Sequence, residues 1–286
     1  MRILHASDVH LTDDYGKLPW RRLGWRRWLA LLELGPGGRA KDYAAAGATL
    51  GAIAADAERH GAAHLVLSGD LTAYALDSEF AAARKALGAV ADDPARCTVI
   101  PGNHDTYTPG SVRSGRFERH FGHLLSSDLP GVACEGRYPF VRLVGEEAAV
   151  VGLLSARVPR LPSMAFGWVG ARQLEALRGI VHDTRLAGRA ILVTVHHAPL
   201  TPRGRPDGRL HGLSDADALL SCLRGPRFAV LHGHLHHRHH HPSEGARPHL
   251  FNAGSSTQRG REGYWLIDVA DGLVRGGTAH SPSKPA

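Results

Sequence analysis

Cys97-Thr98-Val99-Ile100-Pro101-Gly102-Asn103-His104-Asp105 joins a short β-branched run to three polar residues across a Pro-Gly break. The apolar part reads as a buried strand, because it is too short for a helix and stops at turn formers. An ordinary turn seldom needs all three of the polar residues beyond the break: Asn103, His104 and Asp105 offer a carbonyl oxygen, an imidazole and a carboxylate at one strand end. The same pattern recurs along the chain. Runs at 2–6, 64–67, 148–154, 190–195 and 228–231 are aliphatic, and each ends where polar residues begin. Between several of them lie Ala- and Leu-rich stretches with helical spacing, at 43–60, 78–91, 170–183 and 215–223. The alternation predicts an α/β sheet sandwiched by helices.

The C-terminal part differs. Segments 247–253, 264–269 and 273–279 read as strands joined by Gly-rich turns, with Asp271-Gly272 as a hairpin turn, and predict a second, partly antiparallel sheet. No internal repeat or low-complexity linker marks a boundary, so residues 1–280 are expected to form one domain, with a fraying tail at 281–286. An aromatic and basic insertion interrupts the pattern at about 15–40, and its residues 20–34 hold three of the five tryptophans. As a helix it would align Trp25, Trp28, Leu29 and Leu32 on one stripe, with Arg22 and Arg26 beside it. That stripe fits packing onto the chain's own domain. It also fits a cap that grips a bulky or lipid-linked phosphate at a membrane surface.

The 286 residues, 43% hydrophobic and 21% charged, are those of a globular chain with a sizeable core. No apolar run reaches the length of about 18 that a membrane span needs. The N-terminus turns polar too early for a secretory leader, so a cytoplasmic location is expected, with peripheral membrane contact through the insertion as a variant. Cys97, Cys134 and Cys222 lack Cys-x-x-Cys spacing, which argues against a disulfide framework or a thiolate zinc site and predicts small buried hydrophobes. A formal charge of +7 suits phosphorylated or polyanionic partners, nucleic acid and anionic membranes included, but an Arg-rich composition explains it equally well.

The chemistry concentrates at strand ends. Asp8 and His10 follow the first run, where open α/β sheets place ligands, and an extended Asp-x-His step would turn both side chains to one side. A capping Asp beside a surface His would look the same. Asp70 ends the second run behind Gly69, and its two oxygens could bridge two cations, or it could open the next helix. His196 and His197 end a later strand, where a packed, hydrogen-bonded core histidine is the alternative. His234 and His236 repeat the alternate spacing of the first pair. The following His237, His239, His240 and His241 form a tract that could bind metal adventitiously and receive no role. Each piece has an ordinary explanation, but five strand ends bearing Asp, Asn and His in one chain do not. Carboxylate, amide oxygen and imidazole without thiolate suit Mn²⁺, Fe or Zn²⁺ in a two-metal site.

The ordered set Asp8-x-His10, Gly69-Asp70, Gly102-Asn103-His104-Asp105, Val193-x-x-His196 and Gly233-His234-x-His236 closely resembles the signature of the calcineurin-like metallophosphoesterases. The resemblance implies a four-layer αββα sandwich with mixed sheets. It also implies a hydrolase of phosphoester bonds with two divalent ions, the attacking hydroxide being activated by them. Asp8, His10, Asp70 and His236 would hold one ion and Asp70, Asn103, His196 and His234 the other, Asp70 bridging; the equivalent of His104 contacts the phosphate. Ser255-Ser256 after Asn252-Ala253-Gly254, together with the insertion, is similar to bacterial members near class III cyclic-nucleotide phosphodiesterases and exonuclease-like phosphoesterases. A phosphodiesterase acting on a phosphorylated small molecule is therefore expected. The alternatives are a pyrophosphohydrolase of the UDP-2,3-diacylglucosamine type with a lipid-linked substrate, and a nuclease. The nuclease is less favoured, because no aromatic-interleaved groove is apparent. A non-catalytic scaffold fits poorly with a complete ligand set.

Overall fold

The computed structural model describes residues 1–15, 27, 39–158, 164–208 and 210–283. Its strands are β1 (Arg2–Ala6), β2 (His64–Leu67), β3 (Cys97–Val99), β4 (Phe140–Val144), β5 (Ala148–Gly152), β6 (Ala190–Thr194), β7 (Phe228–His232), β8 (His239–His241), β9 (His249–Asn252), β10 (Tyr264–Ala270) and β11 (Leu273–His280). The longer helices are α1 (Ala46–Arg59), α2 (Asp77–Leu87) and α3 (Ala171–Val181). One sheet runs β11-β10-β1-β2-β3 and the other β4-β5-β6-β7-β9-β8. Strands β1 to β3 are parallel to one another, as are β5, β6, β7 and β9, while β10, β11, β4 and β8 are the antiparallel additions.

Period-two side-chain direction divides the buried residues into layers. Leu4, Ala6, Leu65 and Leu67 meet the Leu50, Ile53 and Ala57 face of α1 and Phe80 of α2. Their neighbours Ile3 and Val66 point the other way, against Val150, Leu192 and Leu231 of the second sheet. Ala149, Val151, Ile191, Val193 and Val230 face Leu174, Leu177 and Ile180 of α3. Three apolar seams between four layers make the fold helix, sheet, sheet, helix. Strands covered on both faces carry no polar alternation, which is why they read as continuous aliphatic runs.

The structure differs from the sequence reading in four respects. The C-terminal strands do not form a second sheet: β10 and β11 extend the first sheet beside β1, while β9 enters the second beside β7. The hairpin itself is as expected, with Asp271 and Gly272 both at positive φ (54° and 65°), the backbone of a tight two-residue turn. Helix α2 stops at Leu87 because Gly88 takes φ 58°, and a 3₁₀ turn covers Gly88–Asp92. Cys97 is buried, but Cys134 and Cys222 are half-buried. His239, His240 and His241 form strand β8, with His240 stacked on Phe251 at 4.0 Å.

Between its ends the aromatic insertion lies outside the described residues apart from Arg27, whose buried guanidinium donates to Tyr74 O (2.7 Å) and Ala75 O (3.3 Å) in the loop after β2. At the other end of the chain, Ser283 donates from its backbone to Asp56 Oδ2 (2.9 Å) and from its hydroxyl to Asp56 Oδ1 (2.6 Å), so the tail is tied to α1 at that point. Among the described residues, no helix is long and apolar enough to cross a membrane.

Candidate metal centre

The ends of β1, β2 and β3 in one sheet meet the ends of β6 and β7 in the other. The site therefore lies between two sheets and not along the edge of one. Five of its side chains stand on left-handed backbone: Asp8 (φ 52°), His10 (51°), Asp70 (53°), His234 (75°) and His236 (51°). This corrects the extended Asp-x-His step. The two members of each pair share a side because both leave the strand conformation, and such φ values cost energy for residues with a Cβ. Backbone hydrogen bonds from Asp8 to Gly69 O (3.0 Å) and from His10 to Asp70 O (2.9 Å) hold the first two loops in that shape.

Glycines admit the carboxylates. A Cβ on Gly102 would overlap Asp70 Oδ1, and one on Gly233 would overlap Asp8 Oδ2 and Ser7 Oγ. Gly69, at φ 107°, sits against the Gly102 backbone and the His196 ring. The close approach inferred from Gly69 is thus real, but its neighbours are a loop and an imidazole.

All seven side chains singled out as ligands come together. Asp8 Oδ1 lies 3.2 Å from His236 Nε2 and 3.9 Å from His10 Nε2. His10 Nε2 lies 3.0 Å from His236 Nε2 and 3.9 Å from Asp70 Oδ2. Asp70 Oδ2 lies 3.3 Å from His196 Nε2. Asn103 Oδ1 closes the cluster, 3.0 Å from His196 Nε2 and 3.1 Å from His234 Nδ1. Ligand-capable atoms of Asp8, Asp70 and His196, and of Asp8, His10 and His236, fall within 4.8 Å of one another.

Two of the rings are anchored on their outer side by backbone carbonyls. His196 Nδ1 donates to Ser68 O (2.9 Å) and His234 Nε2 to His211 O (2.9 Å), which leaves His196 Nε2 and His234 Nδ1 facing inward. Burial and the neighbouring His196 charge push His234 down to about 3, so its ring is neutral and presents a lone pair to the Asn103 oxygen. Burial also holds His10 well below the usual imidazole range. Burial opposes charge on Asp8 and Asp70, yet His236 beside the first and His196 beside the second hold both carboxyls below the ordinary range. Desolvation likewise works against His196, but attraction to Asp70 overrides it and raises the ring to about 9. Imidazole nitrogens and oxygens converging at these separations suit cations between them, which would take the place of the inward proton of His196, and outward N–H groups anchored on carbonyls are how imidazole ligands are oriented. The donor set fits two divalent ions.

His104 borders the seven, with ligand-capable atoms of His10, Asp70 and His104 within 4.8 Å of one another. Its backbone N–H donates to Asp70 Oδ1 (2.8 Å), its Nδ1 to Ala73 O (2.7 Å), and its ring meets His10 edge-on at 4.8 Å. His197 turns away, with Nδ1 on Ser155 Oγ (2.8 Å) and Nε2 donating to Ala165 O (3.0 Å).

Several residues support the seven, and of these Thr72, Tyr43, Thr257, Asp207 and His211 were not singled out from sequence. Asp105 accepts from Leu71 N, Thr72 N, Thr72 Oγ1 and Gly102 N at 2.8–3.1 Å, tying the β2 and β3 loops together. Ser255 Oγ donates to Asp8 O (2.9 Å) and shares a hydrogen bond with Tyr43 Oη (2.9 Å), while Thr257 Oγ1 reaches Val9 O. His211 is fixed by Asp207 (2.6 Å), and its ring packs 4.2 Å from that of His234. Asp105 carried a sequence signal through the Gly102-Asn103-His104-Asp105 stretch, and Ser255 through Asn252-Ala253-Gly254-Ser255-Ser256. His211 sits in a loop with no motif around it. Asp70, Asn103, His104, Asp207, His211, His234 and His236 line an open cleft of about 490 Å³.

The family model described as calcineurin-like phosphoesterase matches residues 1–238. The chain belongs to this family. It is therefore a metallophosphoesterase, a hydrolase acting on phosphoester bonds in a family that depends on two metals. Among solved structures, a dimetal phosphatase of Danio rerio is similar with a TM-score of 0.61 at 14% identity, covering 99% of each chain. A sulfate thiohydrolase, SoxB, of Thermus thermophilus gives 0.53 at 15% identity over 98% of this chain and 56% of that one. The protein TT1561 of Thermus thermophilus gives 0.52 at 12% identity over 99% of both. At such identities the likeness is one of fold. No curated protein matches the chain by sequence.

Proposed function

We propose that the chain hydrolyses phosphodiesters, with Asp8, His10, Asp70 and His236 around one divalent ion, Asp70, Asn103, His196 and His234 around a second, and Asp70 between them. The observation that carries the reading is the inward convergence of imidazole nitrogens, an amide oxygen and two ionised carboxylates. When bound, the ions would act as Lewis acids on the phosphate and lower the pKa of coordinated water. Oxygen and imidazole donors without thiolate favour Mn²⁺, Fe or Zn²⁺. His104, held by the Ala73 carbonyl and by Asp70, is placed to contact a phosphate oxygen or the leaving oxygen. His211, braced by Asp207, faces the same cleft from the other side.

Preference for a diester follows from charge. Among the described residues that line the cleft there is no lysine or arginine. Among those residues, the second negative charge of a monoester would meet only imidazoles and the ions. The test compares bis(p-nitrophenyl) phosphate with p-nitrophenyl phosphate on the Mn²⁺-reconstituted protein. We expect kcat/KM for the diester to exceed that for the monoester by about tenfold, and both activities to vanish with Asp70→Ala. A preference for the monoester would overturn the diester reading, and undiminished activity of Asp70→Ala would overturn the proposed centre.

A further inference from the structure

Two described residues of the aromatic and basic insertion, Tyr15 and Arg27, reach the loop that joins β2 to α2. The Tyr15 ring packs edge-on against Tyr74 at 5.2 Å, and its hydroxyl donates to Glu79 Oε1 (2.6 Å). Glu79 Oε2 in turn accepts from Tyr74 N and Leu76 N, both at 3.0 Å. Arg27 spans two carbonyls, with Nε on Tyr74 O (2.7 Å) and Nη2 on Ala75 O (3.3 Å), and Arg116 Nη1 adds a second bond to Ala75 O (2.8 Å). Ala75 N donates to Thr72 Oγ1 (3.1 Å). Every backbone polar group of Tyr74 and Ala75 is thereby held. Ala75 stands at φ 53°, a backbone that a residue with a Cβ keeps only where its surroundings impose it.

The peptide unit between Ala73 and Tyr74 carries this restraint to the cleft. Its N–H is the one that Glu79 accepts, and its carbonyl is the one that holds His104 Nδ1 (2.7 Å). Because a peptide unit is planar, fixing the direction of the N–H fixes that of the carbonyl. The next peptide unit is fixed the same way, its N–H on Thr72 and its carbonyl on Arg27. A second line of contact runs through rings: Tyr74 meets Tyr107 edge-on at 5.5 Å, and Tyr107 stacks on His104 at 5.8 Å. The His104 backbone is tied separately, to Asp70 Oδ1 (2.8 Å), so what the loop adds is the direction of the imidazole.

We propose that Arg27 and Tyr15, with Glu79 between the insertion and the loop, are positioning residues that aim the His104 ring at the bound phosphoester. The inference rests on the part given to His104 in the phosphoesterase reading, and it gives the insertion a task in the same site. Neither Arg27 nor Tyr15 touches the substrate; both act through the Ala73 carbonyl and the Tyr74 ring.

The test combines ring NMR of the histidine-labelled, metal-free protein with kinetics of the Mn²⁺-reconstituted protein. Comparison with His104→Ala identifies the His104 ring signals. Arg27→Ala should shift the His104 Nδ1–H signal and speed its exchange with water by about tenfold or more, leaving the signals of His196 and His234 in place. With metal restored to the same content, kcat on bis(p-nitrophenyl) phosphate should fall by about 10- to 100-fold with KM changed less than about twofold. Arg27→Lys, which offers a point charge in place of a fork, should recover part of the loss. Tyr15→Phe removes only the bond to Glu79, and should move the His104 signal in the same direction by less. Added to His104→Ala, Arg27→Ala should lower kcat no further, because the two act in series. A His104 signal that stays put in both Arg27→Ala and Tyr15→Phe overturns the proposal, and so does a full further loss of kcat in the double variant. A lower melting temperature in Arg27→Ala with all histidine signals displaced, beside an unmoved His104 signal in Tyr15→Phe, would show support of the fold alone and overturn it too. Absence of hydrolysis by the unaltered protein would overturn the part given to His104 and not its anchoring, which the ring signals decide.

Discussion

His104 and Gly233 show how differently single residues serve one site. The His104 imidazole reaches the cleft, while its Nδ1 proton is committed to the Ala73 carbonyl. His104→Ala should keep metal content near that of the unaltered protein while kcat falls by about 10²–10⁴, the usual contribution of a positioned proton-transfer or charge-stabilising group. Metal analysis beside steady-state kinetics checks this, and a stoichiometric loss of metal would make His104 a ligand instead. Gly233 acts by lacking a side chain. An added Cβ would overlap Asp8 Oδ2, and the same carboxylate accepts from His234 N at 2.9 Å. Gly233→Ala should therefore displace Asp8 and cost about 1–3 kcal/mol of overpacking, with metal affinity reduced about 10- to 100-fold. Equilibrium dialysis and urea titration read the two losses separately. The identity of the clustered residues was legible in the sequence, because Asp, Asn and His at five strand ends are a chemical pattern. Their backbone was not. Left-handed φ at Asp8 and His10 is imposed by hydrogen bonds to Gly69 and Asp70, residues about sixty positions away that a local reading does not connect.

Elements were legible where burial on both faces wrote continuous aliphatic runs, as in β1, β2, β5, β6 and β7. They were missed at the edges. β4 carries Arg142 in its middle, and β8 is three histidines, so neither displays the pattern that a central strand must have. Pairing was harder still: β10 was visible as a strand, but only its antiparallel register with β1 shows which sheet it joins. One element carries a pH-dependent strain. At the start of α2 the buried Glu79 carboxyl accepts from Tyr15 Oη (2.6 Å), Tyr74 N (3.0 Å) and Leu76 N (3.0 Å). Burial outweighs these bonds and the nearby Arg27 charge, and raises the group from 4.5 to about 7. Between these values the folded chain holds a proton that the unfolded chain has lost. The contribution is therefore fully present below about pH 4.5 and is lost as pH rises through about 7, a fall of about 3 kcal/mol at most. Glu79→Gln keeps an acceptor for the two backbone N–H groups and removes the titration. Its stability should change less between pH 5 and pH 7.5 than that of the unaltered protein, measured by urea unfolding. An identical pH dependence in the two proteins would show that Glu79 is already ionised in the fold.

At the scale of the whole molecule, the centre joins two sheets that otherwise meet through apolar side chains such as Ile3, Val66, Leu192 and Leu231. Asp8, His10, Asp70 and Asn103 come from loops of the first sheet, and His196, His234 and His236 from loops of the second. Without cations the junction holds left-handed backbone at five positions, which opposes folding, and the Asp8 and Asp70 carboxylates are balanced only by the His236 and His196 rings beside them. Cations bound to the folded chain alone would stabilise it by mass action, by about 2.7 kcal/mol at a free concentration one hundred times the dissociation constant. For a chain of this length that is a rise in melting temperature of roughly 4–5 °C. Removing metal with a chelator should lower the melting temperature by that amount and restoring Mn²⁺ should recover it, whereas Asp70→Ala should melt at one temperature with or without Mn²⁺. Hydrogen exchange locates the effect. Chelation should speed exchange in the loops after β1, β2, β6 and β7, while β5 and β6, packed on both faces, keep their protection. Uniform loss of protection across both sheets would instead mean that the ions support the fold as a whole, and that the apolar seam between the sheets does not hold without them.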